Sequence, residues 1–435
     1  MQPVAQNFSF KGVQGMKRRK SLLLLLGLVL VFGLLLAGCG PREEETGAEG
    51  GGSEEKPEKL VVWANNDPIQ LKNTRKLAKE YEKESGIKVE VVPVDLLKQQ
   101  EKLALDGPAG KGADLVTWPH DQLGEAVIKG LVRPLEVGED VTGQFSESAV
   151  QALTYDGQVY GLPYVTESIA LIYNKKLMSE PPETLDELID FAKKYTKPAE
   201  KEYGLLYEGA NFYYSYFLID AMGGYIFKED GGKVNTEDLG LNNEGAKKAL
   251  ETLQGWYKEK LLPVKATADT VNGLFKEGKA AAVINGPWAV KDYEQAGIDF
   301  AVAPLPAIDG KHPRTFIGVK GWYVSAYSKN PTWATDLMKF FTGKESLLLR
   351  FQETGEIPPR KDLLEDPVIK DDPVVNGFAQ QASRGTPMPN VPEMGQVWEP
   401  IGNAITFVAQ GKRSPEQALD DAVKMIREKI QAQKQ

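Results

Sequence analysis

Three of the seven tryptophans stand where a rigid ring can face a cleft. Trp118 sits in Thr117-Trp118-Pro119-His120-Asp121, Trp288 follows Asn285-Gly286-Pro287, and Trp398 comes shortly after Pro392-Glu393-Met394. Each lies beside turn residues or polar side chains, and each would offer a flat apolar surface with one N–H donor. Residue type alone leaves core packing open for all three. Trp63 in an apolar run, Trp256 at helical spacing with Leu250, Leu253 and Tyr257, and Trp333 after Asn330-Pro331 read as packing residues.

Most catalytic chemistry is absent. One cysteine cannot form an internal disulfide or a thiolate zinc site, and two histidines make a multi-histidine metal centre improbable. There is no G-x-S-x-G elbow, no H-E-x-x-H and no G-x-x-x-x-G-K-[ST] loop. Gly107-Pro108-Ala109-Gly110-Lys111-Gly112 lacks the closing Lys-Ser/Thr and reads as a turn. Carboxylates are plentiful, so a glycosidase pair remains open by counting alone. Lys+Arg of 52 against Asp+Glu of 61 gives a net charge of −9, the reverse of a nucleic-acid binder.

The elements that must position these residues alternate in type. Leu60-Val61-Val62-Trp63-Ala64 has strand character. Leu71, Leu77, Ala78 and Tyr81 recur at helical spacing up to Gly86, and Ile87 to Val91 alternates with period two. Strand, helix, strand at this spacing predicts a βαβ unit. Thr184 with Glu187 forms a capping box before the stripe Leu185, Leu188, Ile189 and Ala192. Ser414-Pro415-Glu416-Gln417 opens a last helix with the stripe Leu419, Ala422, Val423, Ile426 and Ile430. At 435 residues, 42% of them hydrophobic, the chain is an α/β protein too long for one simple sheet, which predicts two lobes.

The first forty residues read as an address. Lys17-Arg18-Arg19-Lys20 precedes an unbroken apolar or small run from Ser21 to Gly38, whose strongly apolar part, Leu22 to Ala37, is too short to cross a bilayer comfortably. Leu36-Ala37-Gly38-Cys39 resembles the bacterial lipobox, in which the cysteine is lipidated and becomes the mature N-terminus; an uncut signal anchor is the alternative. Met16 just before the basic cluster is the expected true start. Removing residues 1–38 takes away Lys11, Lys17, Arg18, Arg19 and Lys20 and no acids, moving the net charge from −9 to −14. Residues 39–58, rich in Gly and Glu, form a solvated leash. A body so acidic is repelled by anionic lipid and depends on its acyl anchor, for which one chain alone gives only marginal binding.

Leu60-Val61-Val62-Trp63, Trp118-Pro119-His120-Asp121, Glu167 before Ile172-Tyr173-Asn174-Lys175, Gly223-Gly224-Tyr225, Ile284-Asn285-Gly286-Pro287-Trp288 and Met388-Pro389-Asn390-Val391-Pro392 follow one another in order. Together they closely resemble the maltose/maltodextrin-binding proteins of ATP-binding-cassette importers, over about residues 59–430. The resemblance implies an α/β, two-lobe periplasmic-binding-protein-like fold with a hinge and an interlobe ligand cleft. It maps an N-terminal lobe to 59–166 plus 321–371 and a C-terminal lobe to 170–315 plus 373–435, with 167–169, 316–320 and 372 as hinge. Carried over residue by residue, Trp118, Tyr213, Trp288 and Trp398 match the family's sugar-facing aromatics, and Asp67, Asp121 and Glu167 its hydroxyl-binding carboxylates. Asn65, Asn66, Gln122 and Asn211 are further candidates. An aromatic plane can cover the C–H face of a glucose ring, while ionised carboxylates accept strong hydrogen bonds from its hydroxyls. Asp67 could instead cap the following helix, Glu167 could be a solvated hinge acid, and His120 reads as a supporting or packing residue.

Four polar positions of the family pattern are changed: a lysine to Pro68, an arginine to Gln122, a glutamate to Asn211 and a second arginine to Gly402. Loss of these clamps predicts greater reliance on stacking, hence a preference for maltotriose, longer chains or cyclic dextrins over maltose. The implied protein is a monomeric, extracytoplasmic lipoprotein with no cofactor, metal or nucleic acid. Its partners would be an oligosaccharide, permease subunits and the membrane through Cys39. Two rivals stay open: a binder of another sugar such as galacto-oligosaccharides on the same scaffold, and an extracytoplasmic glycoside hydrolase.

Overall fold

The computed structural model describes residues 55–230 and 233–434. The leader, Met16 and Cys39 lie outside the described residues. Lys59–Asn65 pairs in parallel with Lys88–Val94, Val62 opposite Val91, and with Leu115–Pro119. The helix Pro68–Ser85 closes this βαβ unit. Asp67 caps its start, Gly86 ends it at φ 72°, and Leu71, Leu77, Ala78 and Tyr81 are buried as their spacing predicts. Phe316–Val324 runs antiparallel to Leu115–Pro119, and Gly161–Glu167 runs antiparallel to Phe316–Val324. The short strand Thr386–Pro387 joins the start of Phe316–Val324 and completes a six-stranded sheet.

A second sheet has four strands, in the order Phe300–Ala303, Ala170–Asn174, Ala280–Asn285 and Tyr203–Leu206. Between Glu167 and Ala170 the chain leaves the first sheet for the second through Ser168 and Ile169, and it returns through residues 304–315. Residues 316–320, expected in a hinge, are strand in the first sheet. The helix Pro373–Ala382 packs on the second sheet so closely that a Cβ on Gly377 would lie 2.4 Å from the Val302 carbonyl oxygen.

The remaining sequence signals fold as their residue types dictate. Thr184 and Glu187 exchange both bonds of a capping box at the start of Leu185–Tyr195. Ser414 caps Pro415–Gln433, whose buried face contains Leu419, Ala422, Val423, Ile426 and Ile430. Trp63 and Trp256 are core residues, and Trp333 is partly buried against the first sheet's core. Residues 107–112 form a turn after the helix Gln99–Asp106.

Candidate functional site

The first sheet delivers acids. Asp121 lies in the single turn His120–Gln122 directly after the strand Leu115–Pro119, and Glu167 is the last residue of its own strand. Both are buried, at 5% and 8% exposure, so Glu167 is not a solvated hinge acid. Burial pushes the Asp121 carboxyl up to about 7, against the pull of the Trp398 indole, whose Nε1–H donates to Asp121 Oδ2 at 2.9 Å. Burial also raises Glu167, opposed by the Lys320 ammonium 2.7 Å from Oε2.

The side of the second sheet delivers rings. Asn211 caps Phe212–Ala221, its Oδ1 accepting the Tyr213 N–H at 3.0 Å, and so starts the helix that carries Tyr213. Trp288 follows the strand Ala280–Asn285 in a braced turn. Asn285 accepts the Gly286 N–H at 2.9 Å and donates through Nδ2 to the Tyr293 hydroxyl at 2.9 Å. Glycine is required there, because a Cβ on Gly286 would lie 2.1 Å from the Trp288 ring. Trp398 opens the helix Trp398–Ala409 and meets Phe212 and Phe316 edge-on at 5.5 and 5.9 Å. Tyr213 lies 6.4 Å from Trp288 and 5.9 Å from Phe316 between ring centroids. Tyr213, Trp288 and Trp398 all keep part of their surface open.

Acids and rings meet. Trp398 bonds Asp121, Lys320 joins Glu167 to the face of Trp288 at 5.5 Å, and the Tyr213 phenol is held un-ionised by burial first and by the negative charges of Glu167 and Asp121. Trp118 Nε1, Gln122 Oε1 and the Tyr213 and Tyr323 hydroxyls are buried here with no hydrogen-bonding partner in the protein. Buried polar atoms are nearly always paired. These atoms, placed beside two acids, are candidate donors and acceptors for a polar ligand. A cavity of about 360 Å³ opens beside Trp398, lined also by Leu97, Gln100, Leu105, Gln122 and Glu125.

Trp118 departs from the expectation of a ring offered to a cleft. It is 0% exposed and stacked on Tyr323, centroids 4.8 Å apart, so only its unpartnered Nε1 remains for a ligand. The strand Leu115–Pro119 is buried on both faces, which seals the ring. Asp67 spends Oδ1 on the N–H groups of Ile69 and Gln70 as a helix cap. Asn65 donates to Gln70 Oε1 at 2.8 Å, and Asn66 and Asn211 are exposed. Asn211 reaches the group only as the cap of the Tyr213 helix, and among the described residues no hydrogen bond or ion pair ties Asp67, Asn65 or Asn66 to Asp121 or Glu167. His120 is a supporting residue. Its Nδ1 accepts the Val319 N–H at 3.1 Å, so Nε2 carries the proton donated to the Met388 carbonyl at 2.9 Å, and burial pushes its pKa down to about 4.

Sequence reasoning missed Phe316, Tyr323 and the buried cation Lys320. Phe316, stacked on Tyr216 at 4.0 Å, is the ring against which Tyr213 and Trp398 pack. A lone Phe within Arg314-Thr315-Phe316-Ile317 carries no periodic signal. Among the described residues no group of three or more His, Cys, Asp or Glu is placed to hold a metal ion, and no helix is long and apolar enough to cross a membrane.

Known proteins share this fold. The chain is 64% identical to a cyclo/maltodextrin-binding protein whose structure was solved with maltotetraose, over 87% of this chain and 99% of that one, with a TM-score of 0.74. It is 36% identical to the Thermus thermophilus maltotriose binding protein bound with maltotriose, over 85% and 100%, with a TM-score of 0.81. The galactooligosaccharide-binding protein of Bacillus subtilis is 38% identical over 413 residues, 93% of this chain and 96% of that one. Residues 76–377 match the family described as bacterial extracellular solute-binding protein, and the chain belongs to that family.

Proposed function

We propose that this chain captures malto-oligosaccharides between its two sheets and delivers them to the permease subunits of an ATP-binding-cassette importer. The observation that carries this reading is the meeting of Asp121 and Glu167 with Tyr213, Trp288 and Trp398 around buried polar atoms that lack protein partners. Rings cover the C–H faces of glucose units, acids accept from hydroxyls, and an uncharged ligand needs no arginine cluster. The relatives solved with maltotetraose and maltotriose support the same ligand class.

Capture works by closure. The segments 168–169 and 304–315, with Asp372 just before the helix Pro373–Ala382, carry the chain between sheets and serve as the hinge. Sugar that touches both sides favours the closed form through contacts that an open form lacks. Shifting a population from 1:99 to 99:1 closed takes about 5.5 kcal/mol of differential binding. The protein acts outside the cytoplasm as a monomer, tethered by lipid at Cys39, and binds without turning over its sugar. Cys39→Ser should abolish incorporation of labelled fatty acid into the protein.

Tryptophan fluorescence titration with maltose, maltotriose, maltoheptaose, cyclodextrin, galactobiose and cellobiose tests the ligand class. Tight binding confined to glucans, with maltotriose ahead of maltose, is the expected result. Tighter binding of galactobiose than of any glucan would favour the second reading, a galacto-oligosaccharide carrier, which the Bacillus subtilis relative motivates. Shortened maltodextrin products after incubation would favour a hydrolase.

A further inference from the structure

Four charged residues are buried together where the chain changes sheets. Lys320 is 4% exposed, with its ammonium 2.7 Å from Glu167 Oε2 and 3.0 Å from Glu356 Oε1. Arg350 Nη2 closes the far end on Glu356 Oε2 at 2.5 Å, and its guanidinium lies 4.6 Å over the Tyr164 ring. Two cations and two acids balance, so the cluster is neutral as a whole. The pairing of Phe316–Val324 with Gly161–Glu167 shifts register at Lys320/Gly321, and such irregularities re-aim side chains. The same ammonium lies 5.5 Å from the Trp288 centroid. One cation of the first sheet thus touches both the acid before the crossing and a ring carried beside the second sheet.

We propose that Lys320 is a positioning residue for sugar capture, which links the Glu167 carboxylate to the Trp288 ring across the two sheets so that removing its charge weakens binding through both. This rests on the reading of the site as a malto-oligosaccharide cleft. An ammonium over an indole face is attractive and strongest when desolvated, as here. Burial opposes the charge on Lys320, but Glu167 and Glu356 hold it protonated above the usual lysine range. In return Lys320 resists the protonation of Glu167 that burial favours. The other groups facing the pair are Glu356 and Arg350 beyond it, Tyr164 on the neighbouring strand, and Tyr213 and Tyr214 from the side of the second sheet. All three phenols are raised by burial and stay neutral to pH 9, and Asp121, raised to about 7, titrates inside the same window, so each variant is compared with native at every pH.

The test measures maltotriose affinity of the full mature chain by calorimetry from pH 6 to pH 9, for the native protein, Lys320→Met, Lys320→Arg and Lys320→Met/Glu356→Gln. The double variant removes one charge of each sign and keeps the buried cluster neutral, so it carries the test if Lys320→Met does not fold. Both methionine variants are expected to lose tenfold or more at pH 6 and to show a pH profile different from native, because the charge that opposes protonation of Glu167 is gone, and Lys320→Arg to stay within about threefold with the native profile. A folded double variant that binds within twofold of native, with the native pH profile, overturns the role of Lys320. A native protein that binds none of the malto-oligosaccharides overturns the cleft reading itself.

Discussion

The first sheet brings acids to the site, Asp121 and Glu167, and both arrive buried and partnered. The second side brings Tyr213, Trp288 and Trp398, rings that stay partly open and are braced by hydrogen-bonded turns and by packing on Phe316. The acids' usefulness therefore depends on their charge state, which Lys320 and Trp398 adjust. That of the rings depends on placement alone. Substitutions of rings should change affinity at every pH, whereas substitutions of acids should change how affinity and stability vary with pH.

After the Lys320 variants, the largest effect is expected from the rings. Trp288→Ala and Trp398→Ala should each weaken maltotriose binding about fivefold or more, ~1 kcal/mol, at every pH, measured by calorimetry. Near-native affinity in both would break the assignment of stacking to the second side. Gly286→Ala should follow, a several-fold loss in the same assay, because its methyl displaces the Trp288 ring. Asp121→Asn tests the acid side through stability. The folded carboxyl has its pKa raised from 3.8 to about 7, so native stability from this group falls as pH rises between those values. The asparagine variant should gain in melting temperature over native at pH 8 and lose that advantage by pH 4; a constant offset would show that Asp121 stays ionised. Trp118→Phe is the smallest change. It keeps the stack on Tyr323 and deletes the unpartnered Nε1, so affinity should fall less than threefold with little change in melting temperature.

Much of this was legible because it is local. The capping box at Thr184, the stripe from Leu419 to Ile430 and the βαβ unit before Val91 depend on residues a few positions apart. Asp67 could be read as either a cap or a ligand group, and the cap bonds are present. The cluster of Glu167, Lys320, Arg350 and Glu356 was not legible, since its members lie far apart in the chain and no period links them. The resemblance located Trp118 as a position without revealing that Tyr323 would cover its face. Burial there comes from the pairing of Leu115–Pro119 with Phe316–Val324, two segments about 200 residues apart.

His120 and Asp121 are neighbours with opposite protonic habits. Unfolding lets the imidazole, suppressed from 6.5 to about 4, take up a proton below pH 6.5, while it makes the carboxyl, raised to about 7, give one up. Across mildly acid conditions the uptake offsets the release, so this dipeptide contributes almost no slope to the stability curve. The pH dependence of stability over that range is left to the other buried carboxyls, Glu167, Glu208 and Glu356.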